Sequence, residues 1–153
     1  MLESYEALAS RPFATAEALG SGGPIARLMR LCDLVSPPLE DGASAPAVEA
    51  AMRSWAQVDP AAQAVMRRVD ARRLAQLSAL FSAAGLQPAQ AADGALRFYA
   101  AVIGSEAMQL SCQIEMRRPL RRVAEGILAD AGICLGREAP VDGAAPSASS
   151  RVG

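Results

Sequence analysis

"MRSWAQVDPAAQAVMRRVDARRLAQLSALFSAAGL", residues 52 to 86, is the most patterned stretch of the chain. Asp59-Pro60 reads as an N-cap followed by a proline at the first helical position. The Asp side chain accepts from first-turn amides, and proline's missing N–H costs nothing there. Gly85 reads as the residue just past the helix end, where a left-handed backbone is needed. On a wheel of about 100° per residue, Val65, Met66, Val69, Leu74, Leu77, Leu80 and Phe81 share about half the circumference. Asp70 and Arg73 fall inside that half, whereas Arg67, Arg68, Arg72 and Ser78 fall outside it. A charge in an apolar sector is costly unless paired. Three residues apart, Asp70 and Arg73 can pair with each other. Contacts to a neighbouring helix, or a polar ligand in an internal pocket, are the alternatives.

Outward from this helix, the chain has 153 residues, enough for one domain with a proper core. It is 52% hydrophobic but only 4% aromatic, so most of the apolar content is Ala and Leu. These are strong helix formers, and β-branched residues are sparse. Residues 1 to about 19 read as a helix with Leu2, Tyr5, Leu8 and Ala9 on one side, broken or kinked by Pro12. Pro24 opens an amphipathic helix carrying Ile25, Leu28, Leu31, Cys32 and Val35. After a loop, SPPLEDGAS, a helix starts near Pro46 with Ser44 as cap and Val48, Met52, Trp55 and Ala56 on one face. Another runs from Pro88 to about Leu110. The last follows Pro119, with Leu120, Val123, Ala124, Ile127, Leu128 and Ala131 in one stripe, and ends at Gly132. The expected fold is all-α, a bundle of about six helices over residues 1–135. Residues 136–153 are small, polar and Pro/Gly/Ser-rich, the pattern of a disordered tail.

The charge pattern narrows function. The net charge is −1, which gives no long-range pull toward nucleic acid or an anionic membrane. There is no His and no Lys, and all 15 basic residues are Arg. Ser-His and Cys-His activation and Schiff-base chemistry are therefore excluded. No phosphate-loop or dinucleotide motif occurs. Cys32, Cys112 and Cys134 lack metal-site spacing and read as reduced core thiols of a cytoplasmic protein. No enzyme activity, metal or cofactor is expected. The N-terminus lacks signal-peptide character, and no apolar run approaches the ~20 residues of a membrane span.

The residues Trp55-Ala56, Asp59-Pro60, Val69-Asp70, Arg72-Arg73-Leu74 and Gly85 resemble the sixth- and seventh-helix region of tetracycline-repressor (TetR) family transcriptional regulators. "ALRFYAAVIGSEAMQL", 95 to 110, is similar to that family's eighth helix, with its aromatic pair, Ala pair and Gly one turn on. The resemblance covers about residues 1 to 131. It implies the C-terminal effector-binding and dimerisation domain of a bacterial regulator. The chain starts inside what resembles the family's connecting fourth helix. The N-terminal helix-turn-helix has no counterpart here, as in a truncated regulator, so DNA contact is expected only if the chain is joined to one.

The resemblance also implies a ligand cavity between the middle helices. Its walls would come from Met29, Cys32, Met52, Trp55, Met66, Leu77, Leu80, Phe81, Phe98, Tyr99 and Val102, an adaptable lining for a small apolar or amphipathic effector. Plain core is the competing reading of each. Glu106 falls among Tyr99, Val102, Ile103 and Leu110 on its wheel, and a carboxylate there needs a donor. Arg53, Arg73 or a cationic or hydroxylated ligand would serve. If buried and unpaired, its pKa should rise. Ala100, Gly104 and Ala107 form a small-residue strip that lets helices approach closely. With Leu120, Val123, Ile127 and Leu128 it makes the expected homodimer face, a four-helix contact about a two-fold axis. "RRPLRR", 117 to 122, puts four Arg at a helix N-terminus and calls for an anionic counterpart such as Glu115, Glu125 or a partner-subunit carboxylate. The alternative function is a helical homodimeric interaction module that holds no ligand.

Overall fold

The computed structural model describes residues 2–19, 22–35, 45–112 and 115–133. All the regular structure among them is helical: α1 Leu2–Ala18, α2 Pro24–Leu34, α3 Ala45–Ala56, α4 Pro60–Ala83, α5 Pro88–Cys112 and α6 Arg117–Asp130. The expected tail, the SPPLEDGAS loop with Ser44, and Cys134 lie outside the described residues.

The local signals act as the sequence foretells. The Asp59 carboxylate accepts from the Ala62 amide at 2.8 Å, with Pro60 next to it. At the other end Gly85 takes φ 111°. The Leu86 amide then reaches the Phe81 carbonyl at 3.2 Å and the Gly85 amide reaches Ser82 at 3.0 Å, a Schellman cap. α6 ends the same way: Gly132 has φ 77°, Ile133 donates to Leu128 at 2.9 Å, and Gly132 donates to Ala129 at 2.9 Å.

Two expectations differ. α1 continues through Pro12 without a break. The ring removes one amide donor, but the helix is not broken there, with Tyr5, Ala9 and Ala16, on both sides of it, buried against the bundle. α6 begins at Arg117, two residues before Pro119, so the proline sits in the first turn where its lost donor had no partner anyway.

α4 is the axis of the bundle and packs against α1, α2, α3 and α5; α6 closes the far side on α2 and α5. Its first half buries Val65, Met66 and Val69 with Tyr5, Ala9 and Met52. Its second half buries Leu77 and Phe81 with Leu28, Leu31, Phe98, Leu120, Ile127 and Leu128. Phe81 meets Phe98 edge-to-face, with centroids 6.4 Å apart. α5 and α6 come so close that a Cβ on Gly94 would lie 2.7 Å from Ile127 Cγ2, so only glycine fits. Among the described residues no helix is long and apolar enough to cross a membrane.

Candidate functional site

Where the halves of α4 meet, the charges of its apolar stripe are taken up. Asp70 and Arg73 do not pair with each other. Arg53 of α3 forks onto Asp70, at 2.9 Å to Oδ1 and 3.3 Å to Oδ2. Arg73 forks onto Glu49 of α3, at 3.1 and 3.3 Å. Glu49 and Arg53, one turn apart on α3, also meet at 2.7 Å. Tyr99 of α5 joins the two forks. Its hydroxyl donates to Asp70 at 2.7 Å and accepts from Arg53 and Arg73, each at 2.9 Å. That hydroxyl has one donor and two acceptor sites, and all are used. Tyr5 of α1 donates to Glu49 at 2.6 Å.

The network holds two acids, two arginines and two phenols, so its formal charge is zero. Burial, and then its hydrogen bond to Glu49, hold the Tyr5 hydroxyl well above its ordinary pKa. Burial likewise pushes Tyr99 up to about 12, with donation to Asp70 adding to it. Both phenols therefore stay protonated and act as donors.

Beside this network lies a cavity of about 80 Å³. Its polar end is formed by Tyr5, Glu49, Arg73, Tyr99 and Glu106, and its apolar walls by α1 and α2 residues such as Phe13, Leu31 and Leu34 with Leu77, Phe98 and Val102. Among the described residues Glu106 makes no ion pair, and its Oε2 is buried without a partner. Both arginines that might have met it are turned to Glu49 and Asp70. Burial pushes Glu106 up to about 7; the Glu49 charge adds to this, and Arg73 and Arg53 pull partly back.

Of the residues singled out for ligand contact, Leu77, Phe98, Tyr99, Val102 and Glu106 line this cavity. Met29, Cys32, Met66 and Phe81 are not on its wall. Cys32, Met66 and Phe81 are buried in the two cores, and half-buried Met29 packs against the larger one. Burial pushes the Cys32 thiol up to about 12. Met52 and Trp55 border a separate open groove with Ser4, Leu8 and Val48. Leu80 faces another with Phe13 and Gln76.

On the expected dimer face, Ala100, Gly104 and Ala107 are exposed. Leu120, Ile127 and Leu128 are buried within this protomer's core, and Val123 is half-buried against it. Cys112 is exposed rather than part of the core. The Arg-rich start of α6 finds a counterpart that the sequence did not nominate. Arg121 forks onto Asp33 of α2 at 3.1 and 2.8 Å, with Arg117 3.8 Å away. The Glu115 carboxylate instead accepts the Arg117 backbone amide at 2.7 Å.

Tyr5 and Glu49 are the site residues that sequence reasoning missed. Glu49 lies three residues from both Pro46 and Met52, all three buried, so α3 turns that strip inward. Val48 and Trp55, expected on the inner face, are 37% and 36% exposed. The signal was present as the i, i+4 pair Glu49–Arg53 on a helix facing Asp70 and Arg73.

Compared with models of known protein families, with curated proteins and with solved structures, the chain finds no match.

Proposed function

We propose that this chain is a small-molecule-sensing, dimerising regulatory domain of the tetracycline-repressor type. The cavity carries the reading. It joins an apolar body to converging polar groups drawn from α1, α3, α4 and α5, the pattern of a ligand site. At about 80 Å³ it exceeds the ~10–15 Å³ that one water needs but is smaller than the ~300–1,000 Å³ of drug-sized ligand pockets, so a ligand would have to part the helices around it. The resemblance of residues 1 to 131 to the family's effector domain supports the same reading. A ligand seated between α1, α2 and α5 would favour one spacing of these helices over another, and regulation follows from that difference in affinity. Any DNA output requires a helix-turn-helix joined to this domain, in a bacterial cytoplasm.

Dimerisation would use the outer face of α5. Leu96 is 58% exposed there, and a Cβ on Gly104 would meet nothing within 4 Å. That face also favours the second reading, a homodimeric interaction module with no ligand.

A thermal-shift screen of the purified chain against apolar and amphipathic small molecules, paired with equilibrium sedimentation, separates the two. A sensor gives a melting temperature that rises with ligand concentration, equivalent to about 2.7 kcal/mol at a hundredfold excess over Kd. A stable dimer that no compound shifts selects the interaction module. Monomer alone at micromolar concentration overturns the dimer in both.

A further inference from the structure

The polar end of the cavity is unbalanced by one carboxylate. Glu49 and Asp70 are matched by Arg53 and Arg73 in two forks. The Glu49 oxygens are taken by Tyr5, Arg53 and Arg73, and the Tyr99 hydroxyl is full. Glu106 Oε2 is, among the described residues, the one buried side-chain polar atom of the cavity wall left without a partner. The Arg53 Nε is buried and unpaired too, but Arg53 does not line the cavity. The rest of the wall includes Phe13, Leu31, Leu34 and Phe98, which offer only apolar surface.

We propose that the cavity takes an amphipathic organic cation, a compact apolar body bearing one ammonium group that seats on the Glu106 carboxylate. The proposal rests on the sensing reading and gives it a ligand class. An ammonium supplies both missing quantities, a hydrogen-bond donor for Oε2 and one positive charge for the surplus carboxylate. A carboxylate ligand supplies neither. It would face Glu106 and Glu49, with both arginines already forked onto acids. An alcohol supplies the donor but leaves the charge uncompensated.

The charges acting on Glu106 are Glu49 and Arg53 from α3 and Arg73 from α4. Tyr5 of α1 and Tyr99 of α5 share its wall, and Asp70 of α4 stands behind Tyr99. α2 contributes Leu31, Leu34 and Val35 to the wall, none of them titratable. Since Glu106 ionises near 7 in the folded chain, the ammonium must displace its proton at low pH. Affinity therefore rises with pH and levels off above that value.

The test uses benzylamine, benzyl alcohol and benzoate, near-isosteric probes of charge +1, 0 and −1, titrated calorimetrically into the full chain. Benzylamine stays protonated throughout pH 6 to 8. The expected order is benzylamine over alcohol over benzoate, with benzylamine binding about tenfold weaker at pH 6 than at pH 8. In Glu106→Gln the preference and the pH dependence both vanish. The order and the pH slope in the unmodified chain decide the matter even if that variant does not fold. Alcohol binding as tightly as amine, or amine binding without a pH slope, overturns the cation assignment and leaves a sensing cavity standing. No binding of any of the three, together with a null result in the broader screen, overturns both readings.

Discussion

The two halves of α4 bury the same kind of stripe by different means. Toward its C-terminus, Leu77 and Phe81 enter a core of aliphatic and aromatic side chains, where Leu28, Phe98 and Leu128 are also completely or nearly completely enclosed. There, volume and shape are what count. Toward its N-terminus, Val65, Met66 and Val69 pack beside a closed set of charges and phenols, in which Glu49 is only 6% and Arg73 14% exposed at the side chain. There, every group must keep its partner. A helix half that is merely apolar needs no particular neighbour, only an apolar one. A helix half that carries Asp70 and Arg73 needs an acid and a base delivered to fixed places by another helix, and α3 delivers both.

The contrast can be broken at each end. The largest effect is expected from Phe81→Ala, which removes a fully enclosed ring and its edge-to-face contact with Phe98. A loss of about 4 kcal/mol by chemical denaturation is expected, the cost of a cavity in a core that cannot collapse. Retention of nearly full stability would mean that the C-terminal half is loosely packed.

Arg73→Met probes the other half. It leaves the network one positive charge short, because Glu49 keeps Tyr5 but must share Arg53 with Asp70. Breaking a buried pair costs about 3 kcal/mol, chiefly because an unpaired charge remains. Adding Glu49→Leu to that variant should restore part of the loss, since it removes the surplus negative charge and leaves Arg53 to Asp70 alone. If the double variant is no more stable than the single one, the network does not hold this half together by charge pairing.

The smallest effect has the opposite sign and concerns the cavity-wall carboxylate that lies outside the closed set. Glu106 titrates near 7 in the folded chain against an ordinary 4.5. The folded state therefore holds a proton that the unfolded state has released between those values. Stability contributed by protonated Glu106 is complete below about 4.5 and is lost as the pH rises through about 7. Glu106→Gln keeps the neutral form at every pH. Its stability should match the parent near pH 4.5 and exceed it above pH 7, by on the order of 1 kcal/mol after allowing for partial solvent access. Equal melting curves at pH 8 would show that the carboxylate is solvated or paired after all.

Much of the fold could be read from single residues. Asp59, Pro60, Gly85 and Gly132 act through their own backbone or their nearest amides, so sequence neighbours suffice to place them. The periodicity of α4 and α6 likewise set which faces are buried. The site was legible in part. Tyr99, Phe98, Val102 and Glu106 were found because they share one face of α5. Glu49 was not, because nothing local tells which of two adjacent faces of a short helix turns inward; Tyr5 was placed on the correct side of α1, but only the tertiary structure brings its hydroxyl to Glu49. On α3 a rotation of about one position turns Val48 and Trp55 outward and brings Glu49 in beside Met52, which was on the expected face.

The sequence by itself thus determined an all-α chain, most of its helix starts and stops, and the presence of charges that required partners. The tertiary structure decided which partners. Asp70 received Arg53, Arg73 received Glu49, and Asp33 received Arg121. Among the described residues Glu106 Oε2 received none. The reason is range. Caps and periodicity act within one or two helical turns, whereas an ion pair depends on the rotation and offset of two helices brought together by the whole core.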